Sequence, residues 1–191
     1  MEKFNYYAIF KPYGMLCQFT GEDGDSLLGD LYDFPKDVYS IGRLDKDSEG
    51  LLLMTNDNRF KARILEPKYK IPKTYYAQVD GDITTEGIKY LSEGKIEIKH
   101  KGNKHKVAPA VCLKINDPGF PERSVPIRFR KNIPTSWVSL TISEGKNRQV
   151  RKMTAAAGFP TLRLVRFAIG NCKLGKMLPG DVIEITPEDV L

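Results

Sequence analysis

At 191 residues, 41% of them hydrophobic, the chain is long enough for one sizeable domain, or for two lobes around one cleft, and it can bury a core. No stretch approaches the run of about 18 apolar residues that spans a membrane, and Met1-Glu2-Lys3-Phe4-Asn5 lacks a signal-peptide core, so a cytoplasmic protein is expected. Cys17, Cys112 and Cys172 are odd in number, widely spaced and without a CxxC pair, and so point to neither a disulfide framework nor a zinc site.

Tyr6 to Phe10 reads as a short apolar strand that ends at the turn Lys11-Pro12-Tyr13-Gly14, where proline fixes φ and glycine supplies freedom. The strand begins almost at the first residue, so no separate N-terminal module is expected. Gly42-Arg43-Leu44-Asp45-Lys46-Asp47-Ser48-Glu49-Gly50 then leads into Leu51 to Met54, a strand expected to be buried on both faces. In extended backbone Arg43 and Asp45 share a face. An acid would thus sit on a turn that opens from a rigid element; the bland alternative is a surface Arg/Asp pair of little energetic weight, and spacing alone leaves both open. Asp47 and Glu49, alternating with Lys46 and Ser48, read as parts of a solvated turn with a structural or rim role.

Asn56 or Asp57 can cap a helix from about Asn58 to Leu65, with Phe60 and Ile64 inward. Thr74 to Val79 reads as a strand, and Thr84 caps a second helix with Ile88 and Leu91 inward and Gly94 as terminator. Lys95 to Lys99 alternates as a strand, with Val107 to Ile115 as its expected hairpin partner. His100 and His105 fall at the exposed tip around Gly102-Asn103, with no cysteine or carboxylate at ligand spacing, so no metal is expected there. Asn116 to Pro134 is a long proline-rich loop in which Arg123, Arg128 and Arg130 interleave with Phe120 and Phe129. Trp137 to Ile142 is a strand, and Asn147 can cap a helix from Arg148 to about Ala157, stopped by Gly158. Leu162 to Phe167, Ile169 to Leu174 and Val182 to Ile185 give further short strands or turns, so the expected class is α+β with a mostly antiparallel central sheet and flanking helices.

Charge is unevenly spread. Between Arg123 and Lys176 twelve basic residues face one acid, Glu144, a net +11 that leaves −5 for the rest of a chain of +6. A block this basic points to phosphate, most plausibly nucleic acid.

Three segments need a common explanation: Gly42-Arg43-Leu44-Asp45 with its Ser48-Glu49-Gly50-Leu51-Leu52 run, Lys73-Thr74-Tyr75, and Glu144-Gly145-Lys146-Asn147-Arg148-Gln149-Val150-Arg151. Together they resemble the RsuA-type family of RNA pseudouridine synthases, whose members carry GRLD near (S/T)EGLL, KxY on a strand and EGRNRQVRRM opening a helix. The resemblance runs from Phe10-Lys11-Pro12-Tyr13-Gly14 to Leu178-Pro179-Gly180-Asp181, and Gln18-Phe19-Thr20 with Ile133-Pro134-Thr135-Ser136-Trp137 looks most like the RluE-like branch, which lacks the extra RNA-binding domain. Lys46 and Lys146 stand where arginine is common in relatives.

The resemblance implies a pseudouridine synthase fold forming a single catalytic domain of two lobes over residues 1–191, acting on a specific uridine of large-subunit (23S) ribosomal RNA. It makes Asp45 the catalytic carboxylate, Arg151 the guanidinium that keeps it charged, and Tyr75 the ring that stacks on the base and assists removal of the C5 proton. Arg43 would help extrude or replace the target nucleotide and Leu164 would form an apolar wall; Arg148, Lys152, Arg128 and Arg130 would contact the RNA. Read alone, Tyr75 is more often a core aromatic and Leu164 nearly as readily plain core packing, and Tyr76, on the opposite face, is expected to be a core residue. The expected partner is ribosomal RNA, with no DNA, no membrane and a monomeric state; no cofactor or metal is called for, because the isomerisation is redox-neutral and no P-loop or GxGxxG pattern occurs. Two other readings compete: a non-enzymatic RNA-binding protein, which does not require an acid, arginine and tyrosine set, and a helix-turn-helix around Arg148, which fails because a strand precedes that helix.

Overall fold

A computed structural model describes residues 3–127 and 133–191. In chain order the described strands are β1 (Tyr6–Lys11), β2 (Tyr39–Ser40), β3 (Glu49–Thr55), β4 (Lys73–Asp80), β5 (Glu97–His100), β6 (Asn103–Lys106), β7 (Val111–Ile115), β8 (Thr135–Ile142), β9 (Thr161–Ile169), β10 (Cys172–Lys173) and β11 (Val182–Glu184). The α-helices are α1 (Asn58–Leu65), α2 (Thr85–Ser92) and α3 (Gln149–Ala156). The chain divides into two compact units, the first made of the chain to Ile71 with Pro121–Val125 and Arg166–Leu191, the second of Pro72–Phe120 with the stretch from Pro126 to Val165.

In the first unit β1 lies between β11 and β3, antiparallel to both, with Ala8 opposite Ile183 and Ile9 opposite Leu52. All seven residues of β3 are buried, as the unbroken apolar run requires, and Ala8, Ile9, Leu51, Leu52 and Leu53 have no exposed surface. Each such leucine or isoleucine contributes about 1.5–3 kcal/mol relative to exposure. Asp57 is the cap of α1 and accepts hydrogen bonds from the Arg59 and Phe60 amides, which leaves Phe60 and Ile64 facing inward. The last residues of β9 belong to this unit, where β10 pairs with them through Cys172 opposite Ile169.

In the second unit β8 pairs antiparallel with β4 on one side and β7 on the other, so that Tyr75 and Cys112 both lie opposite Leu140. β4 alternates buried and half-buried residues along its whole length, the pattern of a strand covered on one face. The Thr84 hydroxyl accepts from the Gly87 amide and caps α2; Gly87 and Leu91 are its buried residues, while Ile88, expected inward, is only half-buried.

Two expectations are corrected here. The partner of β5 is β6, with Lys99 opposite Lys104 and His100 opposite Asn103, while Val111–Ile115 pairs with β8 instead. Lys101 and Gly102 both take positive φ, 49° and 81°, which is what a two-residue primed turn demands, so the hairpin closes earlier than the apolar pattern suggests. The stretch expected as separate strands at Leu162–Phe167 and Ile169–Leu174 is one nine-residue strand, β9, followed by the short β10. All three cysteines are free and buried.

Candidate active site

Asp45 belongs to the first unit, and its placement is built from backbone. The Ser48 amide donates to the Asp45 carbonyl at 3.0 Å, closing a tight turn, and the Gly14 amide donates to the Lys46 carbonyl at 2.8 Å. Between Arg43 and Asp45, Leu44 is buried and its peptide groups are held from both sides by one thiol: the Leu44 amide donates to Cys17 Sγ at 3.2 Å and Cys17 Sγ donates to the Leu44 carbonyl at 3.3 Å. Leu44 is buried, Arg43 exposed and Asp45 half-buried, on a stretch that is not itself a strand. The Lys46 ammonium pairs with Asp25 at 2.7 Å.

Lys46 and Asp47 lie on a turn, exposed and half-buried, but Ser48 and Glu49 are each 1% exposed, which corrects the reading of Glu49 as part of a solvated turn. The reason lies in β3, which starts at Glu49 and carries that carboxylate into the sheet. Lys11, without exposed surface, extends into the same region and donates through Nζ to the Pro12 carbonyl at 2.9 Å and the Met15 carbonyl at 2.8 Å. Burial lowers its pKa to about 8, against the opposing pull of Cys17, Glu49 and Asp47. Gly50, at φ 106°, admits the backbone of Arg166: a Cβ there would stand 2.4 Å from the Arg166 carbonyl oxygen. Arg166 is itself buried and donates through Nε to the Leu51 carbonyl at 2.7 Å.

Tyr75, Leu164, Arg148, Arg151 and Lys152 belong to the second unit. Tyr75 is 9% exposed on the inward face of β4, and Leu164 is buried on β9, where Arg163 stacks over Phe120 at 5.7 Å. Tyr76 on the other face of β4 is half-buried, its ring 6.1 Å from Phe120. The helix that carries Arg151 and Lys152 starts differently from expectation. Arg148, not Asn147, is the residue before α3, it has φ 51°, and no side chain caps the helix. Gln149 orders the loop instead: its Oε1 accepts from the Lys146 amide at 3.0 Å and its Nε2 donates to Glu144 at 2.6 Å.

Glu144 is the hub of that loop. Its carboxylate also accepts from the Ala108 amide at 2.9 Å and meets His105 Nε2 at 2.9 Å. Burial raises the Glu144 pKa, but the hydrogen bonds from Ala108, His105 and Gln149 outweigh it and hold the carboxyl below its ordinary value.

The structure therefore brings Arg43 and Asp45 together on one unit and Tyr75, Leu164, Arg148, Arg151 and Lys152 on the other. Arg128 and Arg130 lie outside the described residues. Lys11, Glu144 and Gln149 fall within the motifs read from the sequence, but their supporting contacts, like those of Cys17, are not legible there; the one available signal is Lys11, a charge that directly follows an otherwise apolar strand. Among the described residues no group of three or more His, Cys, Asp or Glu side chains could hold a metal ion.

A family model described as RNA pseudouridylate synthase matches residues 5–156. The chain is 50% identical over 175 residues to the ribosomal large subunit pseudouridine synthase E of Vibrio parahaemolyticus, covering 92% of this chain and 71% of that protein. It is 43% identical over 172 residues to the protein of the same name from Xanthomonas campestris pv. campestris, covering 89% of each. Among solved structures, a crystal structure of a pseudouridylate synthase superposes with a TM-score of 0.78 at 29% identity, covering all of this chain and 75% of the other.

Proposed function

The chain belongs to the RNA pseudouridylate synthase family, in its RsuA-type, RluE-like branch, and is an RNA pseudouridine synthase; from that premise we propose that it isomerises one specific uridine of large-subunit (23S) ribosomal RNA, with Asp45 as the catalytic carboxylate. The observation that carries the choice of RNA is the 50% identity, over 92% of the chain, to a protein named for the large ribosomal subunit. In the reaction the bond from N1 of uracil to C1′ breaks, the base turns, a bond from C5 to C1′ forms, and the C5 proton is lost while N1 regains one. Asp45 attacks either the ribose or the base to open that sequence. A uridine in folded RNA reaches such a group only when flipped out, at a cost of a few kcal/mol that stacking and backbone contacts offset.

Each further role follows from residue chemistry. Arg151 keeps the carboxylate charged, since a guanidinium matches a carboxylate in two hydrogen bonds where an ammonium makes one. Tyr75 stacks on the base and assists proton removal at C5, Leu164 forms an apolar wall, and Arg43 helps extrude or replace the target nucleotide. Arg148, Lys152, Arg128 and Arg130 contact phosphates. Both units serve one catalytic domain, acting as a cytoplasmic monomer on RNA and neither on DNA nor at a membrane; no described helix is long and apolar enough to cross one.

The test follows tritium release from C5-labelled uridine in unmodified large-subunit ribosomal RNA, comparing wild type with Asp45→Ala. Loss of release by about a thousandfold or more is expected on removing the nucleophile. Undiminished release from the variant would rule out Asp45, and no release by the wild type from any RNA would favour the non-enzymatic RNA-binding reading.

A further inference from the structure

The β5–β6 hairpin is joined to the entrance of α3 in the second unit, and the junction gathers positive charge. Lys152 Nζ on α3 donates to the Lys99 carbonyl of β5 at 2.7 Å, and His105 of β6 meets Glu144 at 2.9 Å. These two contacts fix the hairpin against the loop that carries Lys146 and Arg148. The His100 ring lies 6.3 Å from that of His105 at this junction, and its pKa is lowered first by burial and then by the positive charges of Lys146, Lys101, His105 and Lys152.

What neutralises this cluster is the informative question. On the outward face of the hairpin Lys104 finds Glu97 at 3.5 Å, the ordinary arrangement of a solvated surface. Glu144, the acid beside the inner cluster, is already engaged by His105, the Ala108 amide and Gln149. Among the described residues Lys101, Lys146 and Lys152 form no ion pair with a carboxylate, and the first turn of α3 contains no acid to offset the positive end of the helix. Converging cations without an internal counter-charge favour a bound anion.

We propose that the β5–β6 hairpin and the loop entering α3 form a phosphodiester-binding site for the substrate RNA, with Lys101, Lys146 and Lys152 as its cations. The proposal rests on the pseudouridine synthase reading and adds to it a segment, residues 97–106, that lies outside the basic block between Arg123 and Lys176. The hairpin then acts as an arm that positions RNA beside the loop carrying Arg148.

The experiment measures the Kd of unmodified large-subunit ribosomal RNA transcript by fluorescence anisotropy between 50 and 200 mM KCl, with tritium release recorded on the same preparations. Three proteins are compared: wild type, the pair Lys101→Gln with Lys146→Gln, and a control pair, Lys36→Gln with Lys61→Gln, that removes the same charge from the first unit. For the hairpin pair the slope of log K against log salt should fall by about 1.4 to 1.8, the yield of two phosphate contacts, with about a tenfold loss of affinity at the lowest salt. The control pair should keep the wild-type slope. An unchanged slope in the hairpin pair, or an equal fall in both pairs, overturns the site. No tritium release by the wild type, with salt-dependent binding as expected, would overturn the isomerase reading and leave the phosphate site standing.

Discussion

Arg148 holds a left-handed backbone conformation that a β-carbon makes unfavourable by about 1 kcal/mol, and it does so directly before a helix with no side-chain cap. Glycine would relieve that strain and alanine would not, whereas both remove the guanidinium. Arg148→Gly should therefore be more stable than Arg148→Ala by about 1 kcal/mol in urea unfolding, while the two lose RNA affinity equally. Equal stabilities would show that the strain is relieved by other means in the native loop. Gly50 presents the reverse case, because the approach of the Arg166 backbone leaves no volume for any side chain. Neither constraint is visible in local spacing. Gly50 could be read as a turn residue from its neighbours, but its close contact is with a residue 116 positions away. Asp45 and Tyr75, by contrast, stand out through the order of short motifs, which is a local property of the sequence, whereas strand alternation alone leaves the role of each open.

At the scale of elements, α1 shows how one side chain can join two of them. Asp57 caps the helix through the Arg59 and Phe60 amides and at the same time accepts from the Tyr6 hydroxyl of β1 at 2.9 Å. Burial raises the Asp57 pKa, but the hydrogen bonds from Phe60, Tyr6 and Arg59 prevail and lower it. A carboxyl with a depressed folded pKa contributes stability above its unfolded value near 4 and loses it as the pH falls through the folded one. Asp57→Ala should cost about 1–3 kcal/mol at neutral pH, from the lost cap and the unpaired Tyr6 hydroxyl, and the gap to wild type should close on acidification below about 4. A gap that persists at low pH would assign the loss to packing instead. This helix was foreseeable because a cap is specified within four residues. The β5–β6 hairpin was misread because its polar strands carry little hydrophobic contrast, so the positive φ of Lys101, which closes the turn, decides the register.

For the whole molecule, buried charge shapes the dependence of stability on pH. Lys11 titrates near 8 in the folded chain against 10.5 for its ordinary value. Between those values the unfolded state holds the extra proton, so stability rises with pH across the window, by an amount on the order of 3 kcal/mol. Urea unfolding between pH 7 and 11 should show this rise in the wild type and its absence in Lys11→Met; parallel profiles would mean that Lys11 finds a compensating charge when folded.

The division into units also sets an order of events during synthesis. The second unit, Pro72–Phe120 with the stretch from Pro126 to Val165, is complete in the chain by Val165, whereas the first unit needs Arg166–Leu191 before β11 can cover β1 and β9 can pass Gly50. In order of synthesis the segment bearing Arg151 therefore precedes the strand that covers β1, and the sheet of the first unit is completed last. A chain cut short before Val182 would keep every residue of the second unit but leave β1 with an unpaired edge, a template for pairing with another strand.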